Sequence, residues 1–335
     1  MPKITASRAR TKPIKLALQG GGAHGAFTWG VLDFLLEDGR LEIEAMSGAS
    51  AGAINAAILA DGLLDGGARK ARDQLERFWR KASLDGELPA PARPVFDAFL
   101  SAWGLPTAED NPWMRLLSQA GPYTFNPLNI NPLRRILDEE IDFARLRASS
   151  PVRLSVAATN VETGKARVFR ETELTADHLA ASACLPQLFH AVEIEGAPYW
   201  DGGYLGNPPL YPLFEGAGRD LLLVQINPIR RDGVPRTSAD IAHRLNEISF
   251  NAPLLHEMRA IEFVSRLIDR GVLDDPHYKR ILMHRIAFSD SVNETAATKS
   301  STDFGFFERL RDAGRKAARD WLNTHFDAIG ERDTM

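Results

Sequence analysis

The chain has 335 residues, 44% of them hydrophobic and 25% charged, enough apolar material for one large α/β domain or two smaller ones. A formal net charge of −4 excludes a general electrostatic pull towards nucleic acid. The single cysteine, Cys184, excludes an internal disulfide framework and a cysteine-rich zinc site, and fits a reducing compartment such as the cytoplasm.

Residues 1–15 carry Lys3, Arg8, Arg10, Lys12 and Lys15 and no acidic residue. No apolar stretch of signal-peptide type follows, so 1–13 reads as a basic, solvated tail rather than a secretory leader. Its alternative use is electrostatic contact with anionic lipid headgroups, a peripheral membrane contact. No apolar run approaches the ~20 residues of a membrane-spanning helix.

From residue 14 to 19 the sequence predicts a buried strand, which runs into Gly20-Gly21-Gly22-Ala23-His24-Gly25. An amphipathic helix follows, with Phe27, Val31, Leu32, Leu35 and Leu36 on its apolar side and Gly39 as its stop. A second strand over 41–46 leads to Gly48-Ala49-Ser50-Ala51-Gly52, and an alanine-rich helix leads away. Strand, Gly-x-Ser-x-Gly and helix in that order are the setting of a nucleophile elbow, where a sharp turn pushes the serine out of the backbone path. The competing reading makes Ser50 a helix cap. Consecutive glycines at a helix N-terminus present several amides and the positive end of a dipole, which suits an oxyanion. One βα unit separates them from Ser50, so right-handed crossover brings both loops to the same sheet edge.

The glycine run also matches the dinucleotide fingerprint, with Glu42 and Glu44 near the distance of a ribose-binding acid. Against that, the second strand ends in Gly-x-Ser-x-Gly, where the acid belongs. A histidine base would follow Ser50 in α/β-hydrolase order, and His256, His277, His284 and His325 lie late enough, but none sits in a recognisable strand-end loop.

Residues 69–81 predict an amphipathic helix. The stretch 88–132 is rich in proline and aromatic residues, too apolar for a linker, and reads either as a cap packed on the core or as a lid over an acyl chain. A helix starts near Pro132, a buried strand covers 152–158, and a turn at 160–165 leads to a hairpin partner over 166–169. Thr175 reads as the cap of a helix that ends in Ala181-Ser182-Ala183-Cys184-Leu185-Pro186-Gln187-Leu188-Phe189. Cys184 there is expected to be a buried small hydrophobe. A hairpin around Glu195-Gly196 then reaches Asp201-Gly202-Gly203, in which Asp201 is either a carboxylate held at a tight turn or a plain turn residue. One more strand covers 221–226. Beyond it the chain becomes helical and charged, with a helical region over 238–270 interrupted near Pro253, a strand over 280–288 and a last helix over 303–325 whose stripe holds Phe304, Phe307, Leu310, Ala317 and Trp321.

Gly20 to Gly25, Gly48 to Gly52, 181–189 and Asp201 to Gly203 together, in this order, resemble the signatures of the patatin-like phospholipase family, over about residues 14–213. The resemblance implies a three-layer α/β/α fold on a mainly parallel sheet. With the composition and periodicity of the rest of the chain, the expected limits are 14–230 for the acyl-hydrolase unit, with 88–132 as cap or lid, and 231–335 for a mostly helical extension packed on the core. It further implies hydrolysis of lipid carboxylic esters by a Ser50–Asp201 dyad without a catalytic histidine, an oxyanion hole in the loop Gly20, Gly21, Gly22, Ala23, His24 and Gly25, elbow glycines Gly48 and Gly52, and turn glycines Gly202 and Gly203. No cofactor and no metal ion are called for, and the partner is a lipid or other acyl ester. His24 departs from the family, which usually carries Arg or Lys there. A catalytically silent lipid-binding or regulatory protein on the same fold is the rival reading, and a dinucleotide-binding protein the more distant one.

Overall fold

The computed structural model describes residues 11–83, 121–288 and 304–335; residues 84–120, which hold most of the expected cap or lid, lie outside them. Strands β1 (Lys12–Leu18), β2 (Leu41–Gly48), β3 (Arg153–Asn160), β4 (Lys165–Arg170), β5 (Val192–Ile194), β6 (Ala197–Asp201), β7 (Asp220–Gln225) and β8 (Leu282–Ala287) form one mixed sheet. Its order is β5-β6-β3-β2-β1-β7-β8, with β4 paired to β3. The five strands from β3 to β8 pair in parallel, and β4, β5 and β6 pair antiparallel. β1 begins at Lys12, earlier than the sequence pattern predicts, because Lys12 N–H bonds Arg40 O at 3.0 Å and its Nζ reaches the carbonyls of Phe326 and Ile329, each at 2.9 Å.

Alternation along the strands separates two apolar layers. Ile14, Leu16, Leu18, Leu222 and Val224 face helices α1 (Gly25–Asp38), α2 (Ala51–Lys81) and, at the far end of the described chain, α7 (Phe304–His325). Ala17, Ala45, Leu221 and Leu223 face Leu254 and Ile261 of helix α6 (Ser238–Asp269). Helices thus cover both faces of the sheet, the α/β/α arrangement expected of strands that are apolar on both sides. Lys15 intrudes into the second layer, and its buried ammonium is satisfied by the carbonyls of Leu213, Glu215 and Gly218 at 2.6 to 2.9 Å.

Two expectations need correcting. α1 is not half solvent-facing: Trp29, Asp33 and Phe34 are buried along with Phe27, Val31, Leu32 and Leu35 of the predicted stripe, because α7 lies across its outer side. α6 continues through Pro253 rather than breaking there, since Phe250, Asn251 and Leu254 are buried on both sides of the proline and hold the helix to the sheet. α2, by contrast, is two helical runs within Ala51–Lys81 joined at a kink where Gly66 and Gly67 leave helical geometry, so the second run matches the helix expected over 69–81.

β3 sets the spacing of the loops. β4 occupies one edge of β3 from Ser155 to Asn160, so the other edge is shared: β2 pairs with Arg153 to Val156, and β6 takes over at Ala158. Gly48 pairs with Val156 and Asp201 with Ala158, so the elbow and the aspartate meet end to end along one strand. On the other side of β2, Leu18 pairs with Gly48, so the glycine loop leaves the sheet level with the elbow.

The α1–α7 contact depends on Gly30 and Gly314. A Cβ at Gly30 would overlap the Arg311 carbonyl, and one at Gly314 the Phe27 carbonyl, both backbone atoms that cannot swing aside. Gly30→Ala is therefore expected to destabilise the fold by about 1–3 kcal/mol despite its better helix propensity. Urea denaturation followed by circular dichroism measures this, with the midpoint falling and the slope unchanged.

Candidate active site

Three loops converge at the carboxyl end of the parallel strands, where α/β sheets present their sites. At the elbow, Ser50 has φ 51° and ψ −127°, a conformation that costs a non-glycine residue about 1–3 kcal/mol. It persists because its neighbours leave no room to relax. A side chain at Gly48 would strike Ala53 and Gly52, and one at Gly52 the backbone of Leu18 and Gln19. Ser47 Oγ donates to Pro209 O at 2.6 Å, and the Ser50 N–H donates to Ser182 Oγ at 2.9 Å.

The glycine loop is anchored by side-chain amides. Gly20 N–H donates to Asn207 Oδ1 at 2.6 Å, and Gly20 O accepts from Asn207 Nδ2 and Asn227 Nδ2 at 3.3 and 2.7 Å. Gln19 Oε1 accepts from the N–H groups of Ile226 and Asn227, while its Nε2 donates to Asn251 Oδ1 at 2.9 Å. A Cβ on Gly20 would lie 2.6 Å from Ala49 O and 2.9 Å from Ser50 Cβ, so only glycine lets this loop lie against the elbow. His24 N–H is taken by Gly21 O, and Gly25 N–H by Ala23 O and Gly22 O. The amides of Gly21, Gly22 and Ala23 have no acceptor among the described residues. The His24 side chain, half-buried, stands edge-on to Phe288 with ring centroids 5.5 Å apart. Asn55 joins the two helix starts, its Nδ2 donating to Gly25 O and Ala51 O, each at 3.0 Å.

Asp201 ends β6, fully buried. Its N–H donates to Cys184 O at 2.8 Å, its carbonyl accepts from Thr159 Oγ1 at 2.8 Å, and its Oδ1 accepts from Gly203 N–H at 2.7 Å. Gly202 lies against the Ala157 backbone and Gly203 under the Phe250 ring, which closes the turn from above. Burial pushes the Asp201 carboxyl up from 3.8 to about 7, while the Gly203 N–H and the nearby Ser50 hydroxyl hold it down. Ser50 Oγ and Asp201 Oδ2 fall short of a formed hydrogen bond, and neither has another partner among the described residues.

Of the residues singled out from the sequence, Ser50, Asp201, Gly48, Gly52, Gly202, Gly203 and the loop from Gly20 to Gly25 gather here. The late histidines do not. His284 is buried at the amino end of the sheet, bonded to Asp220 at 2.9 Å, and His277 is exposed beside Asp275. Glu42 and Glu44 lie in the first half of β2, away from the end where a ribose would bind. Cys184 is buried, and its thiol is pushed up to about 12 by burial and by the Asp201 charge. Sequence reading gave no role to Ser182, Asn207, Asn227 or Gln19; only Ser182 lies in a motif that drew attention to itself. An open cavity of about 550 Å³ lies along the second half of α2, between Asp61, Gln74 and Arg145, and contains none of these residues. Among the described residues no helix is long and apolar enough to cross a membrane.

An α/β/α sheet presenting an elbow serine, a glycine loop and a buried aspartate at its carboxyl edge defines the class. Residues 16–214 match the family model of the patatin-like phospholipases, and the chain belongs to that family, whose activity is lipid hydrolysis. The structure is similar to VipD from Legionella pneumophila, with 18% identity, TM-score 0.46, and 94% of this chain and 67% of that chain covered. It is also similar to the type III effector protein ExoU, with 15% identity, TM-score 0.36, and coverage of 94% and 54%. The chain therefore spans about half the length of the ExoU chain. Comparison with curated proteins gives no match.

The raised Asp201 carboxyl has a stability consequence. With a folded value near 7 above an ordinary 3.8, its favourable contribution is complete below pH ~4 and is lost as the pH climbs through ~7, where the fold must hold a buried charge. Asp201→Asn is accordingly expected to raise the melting temperature at pH 8 and to leave it nearly unchanged at pH 4, as thermal melts at the two pH values would show.

Proposed function

We propose that this protein hydrolyses carboxylic esters of lipids, in the manner of a phospholipase or lysophospholipase, with Ser50 as nucleophile and Asp201 as general base. The observation that carries this reading is a pair of buried oxygens, Ser50 Oγ and Asp201 Oδ2, each without a formed hydrogen bond among the described residues, with the Ser50 hydroxyl near enough to the Asp201 carboxyl to hold it down. The carboxylate takes the hydroxyl proton as Oγ attacks the ester carbonyl carbon. The oxyanion formed is received by the amides of Gly21, Gly22 and Ala23 and the adjoining helix dipole. Asp201 then passes its proton to the departing alcohol, which leaves an acyl ester on Ser50. In the second half it takes a proton from water, the hydroxide attacks the acyl carbon, and the fatty acid leaves as Ser50 regains its proton.

An aspartate at its ordinary value is a weak base near neutrality; one raised to about 7 is matched to the working pH. The setting we propose is a reducing compartment such as the cytoplasm, with peripheral contact at a lipid surface where the acyl esters reside.

A fluorophosphonate probe is expected to label the wild type and not Ser50→Ala; absence of labelling would favour the catalytically silent reading and overturn this one. Asp201→Asn, which keeps the shape and removes the base, is expected to lower kcat on short p-nitrophenyl esters by about 10²–10⁴-fold. In the wild type, kcat/KM should rise with pH through about 7 and level off above it, because only the ionised carboxylate accepts the proton. Phospholipid and lysophospholipid assays across acyl chain lengths then assign the substrate.

A further inference from the structure

The segment 181–189 carries part of the family resemblance but no part in the mechanism above. Its place in the fold is unusual. Helix α5 (Ala176–Ser182) ends under the elbow, where the buried Ser182 Oγ accepts from Ser50 N–H at 2.9 Å. Two residues later, the Cys184 carbonyl accepts from Asp201 N–H at 2.8 Å. One short stretch of chain therefore holds the backbone of both members of the dyad, which arrive on different strands.

We infer that Ser182 is a positioning residue that, together with the Cys184 carbonyl, fixes where the Ser50 hydroxyl stands relative to the Asp201 carboxylate. The inference rests on the dyad reading given above. Ser50 sits in a positive-φ conformation that relaxes unless something restrains it. Its N–H is buried, and the Ser182 hydroxyl is the acceptor that the structure gives it. Without that oxygen the N–H must find another acceptor or remain unpaired, and either outcome turns the elbow and moves Oγ. The Cys184 half of the clamp is main chain and survives substitution, so Ser182 is the half that can be removed.

A merely structural hydroxyl would change the melting temperature and nothing else. A positioning one changes the chemistry, and the two are told apart with Ser182→Ala and Ser182→Thr in the full chain, assayed on a short p-nitrophenyl ester. Ser182→Ala is expected to lower kcat by about 10- to 100-fold with KM little changed. Its kcat/KM profile should shift to higher pH, since the displaced Ser50 hydroxyl no longer holds the Asp201 carboxyl down. Ser182→Thr keeps the oxygen and should recover both quantities. A Ser182→Ala protein with wild-type kcat and an unmoved pH profile overturns the inference, whatever its melting temperature. If the alanine variant does not fold, Ser182→Cys, similar in size but a weak acceptor, takes its place: a partial loss of kcat supports the role and unchanged kinetics overturn it. Fluorophosphonate labelling keeps the two proposals separate. A labelled wild type with an indifferent Ser182 variant removes only the positioning role, whereas an unlabelled wild type removes the dyad.

Discussion

A carboxyl group buried away from bulk solvent governs the centre of this protein. Asp201 is fully buried, and one backbone N–H, from Gly203, satisfies one of its two oxygens. Leaving the other oxygen charged and bare is costly, so the group is driven towards its protonated form and stands near neutrality instead of well below it. The Ser50 hydroxyl nearby offsets part of that cost, while the Ser50 backbone is held in its unfavourable conformation by the crowded glycines on either side of it. The strain at Ser50 and the desolvation at Asp201 are two unfavourable terms held at the same spot. They are tolerable because the two apolar layers on either side of the sheet supply stability far from the site.

Neutral groups do the holding. Gln19, Asn207, Asn227 and Asn251 tie the glycine loop to the ends of β1 and β7 and to α6, using amides that both donate and accept. Charged side chains could anchor the same loop, but a lysine there would depress Asp201 and an acid would oppose an oxyanion. The amides in those places add no charge beside Asp201, and among the described residues the N–H groups of Gly21, Gly22 and Ala23 stay unclaimed. Asn207 lies six residues past Asp201 in the same loop, so the turn that ends in the base also carries the anchor of the glycine loop.

Features written in consecutive residues were legible in the sequence. The elbow, the glycine loop, the Glu195-Gly196 hairpin and the Thr175 cap, which His178 completes, all depend on neighbours within a few positions. The choice of Asp201 over a histidine came from family resemblance rather than from any local property, because an Asp-Gly turn looks the same with or without a catalytic carboxylate. What sequence could not convey was long-range. α1 reads as amphipathic because nothing near it announces that α7 will cover its outer side, through a contact as close as Gly30 against Arg311. Pro253 reads as a break because proline removes a bond from the helix ladder, while the packing of Phe250 and Leu254 that offsets the loss comes from residues distant in the chain. Ser182 reads as a small helical residue, since its use depends on a turn whose backbone lies far away in the chain.

Cys184 lies close to Asp201 as well, and the contrast between its thiol and the Ser50 hydroxyl bears on which of them the proposed mechanism can use as nucleophile. Cys184 belongs to the same clamp, and thiols are stronger nucleophiles than hydroxyls once ionised. Here ionisation is blocked twice. Burial raises the thiol to about 12, with the Asp201 carboxylate adding to the effect, and the Sγ–H is already donated to His190 O at 3.1 Å, away from the base. Ser50 needs no prior ionisation. In the proposed mechanism its proton moves to the Asp201 carboxylate only while the acyl carbon is attacked, for which a base near 7 suffices. On the proposed mechanism, the carboxylate charge that would activate the serine also helps to keep the neighbouring thiol protonated.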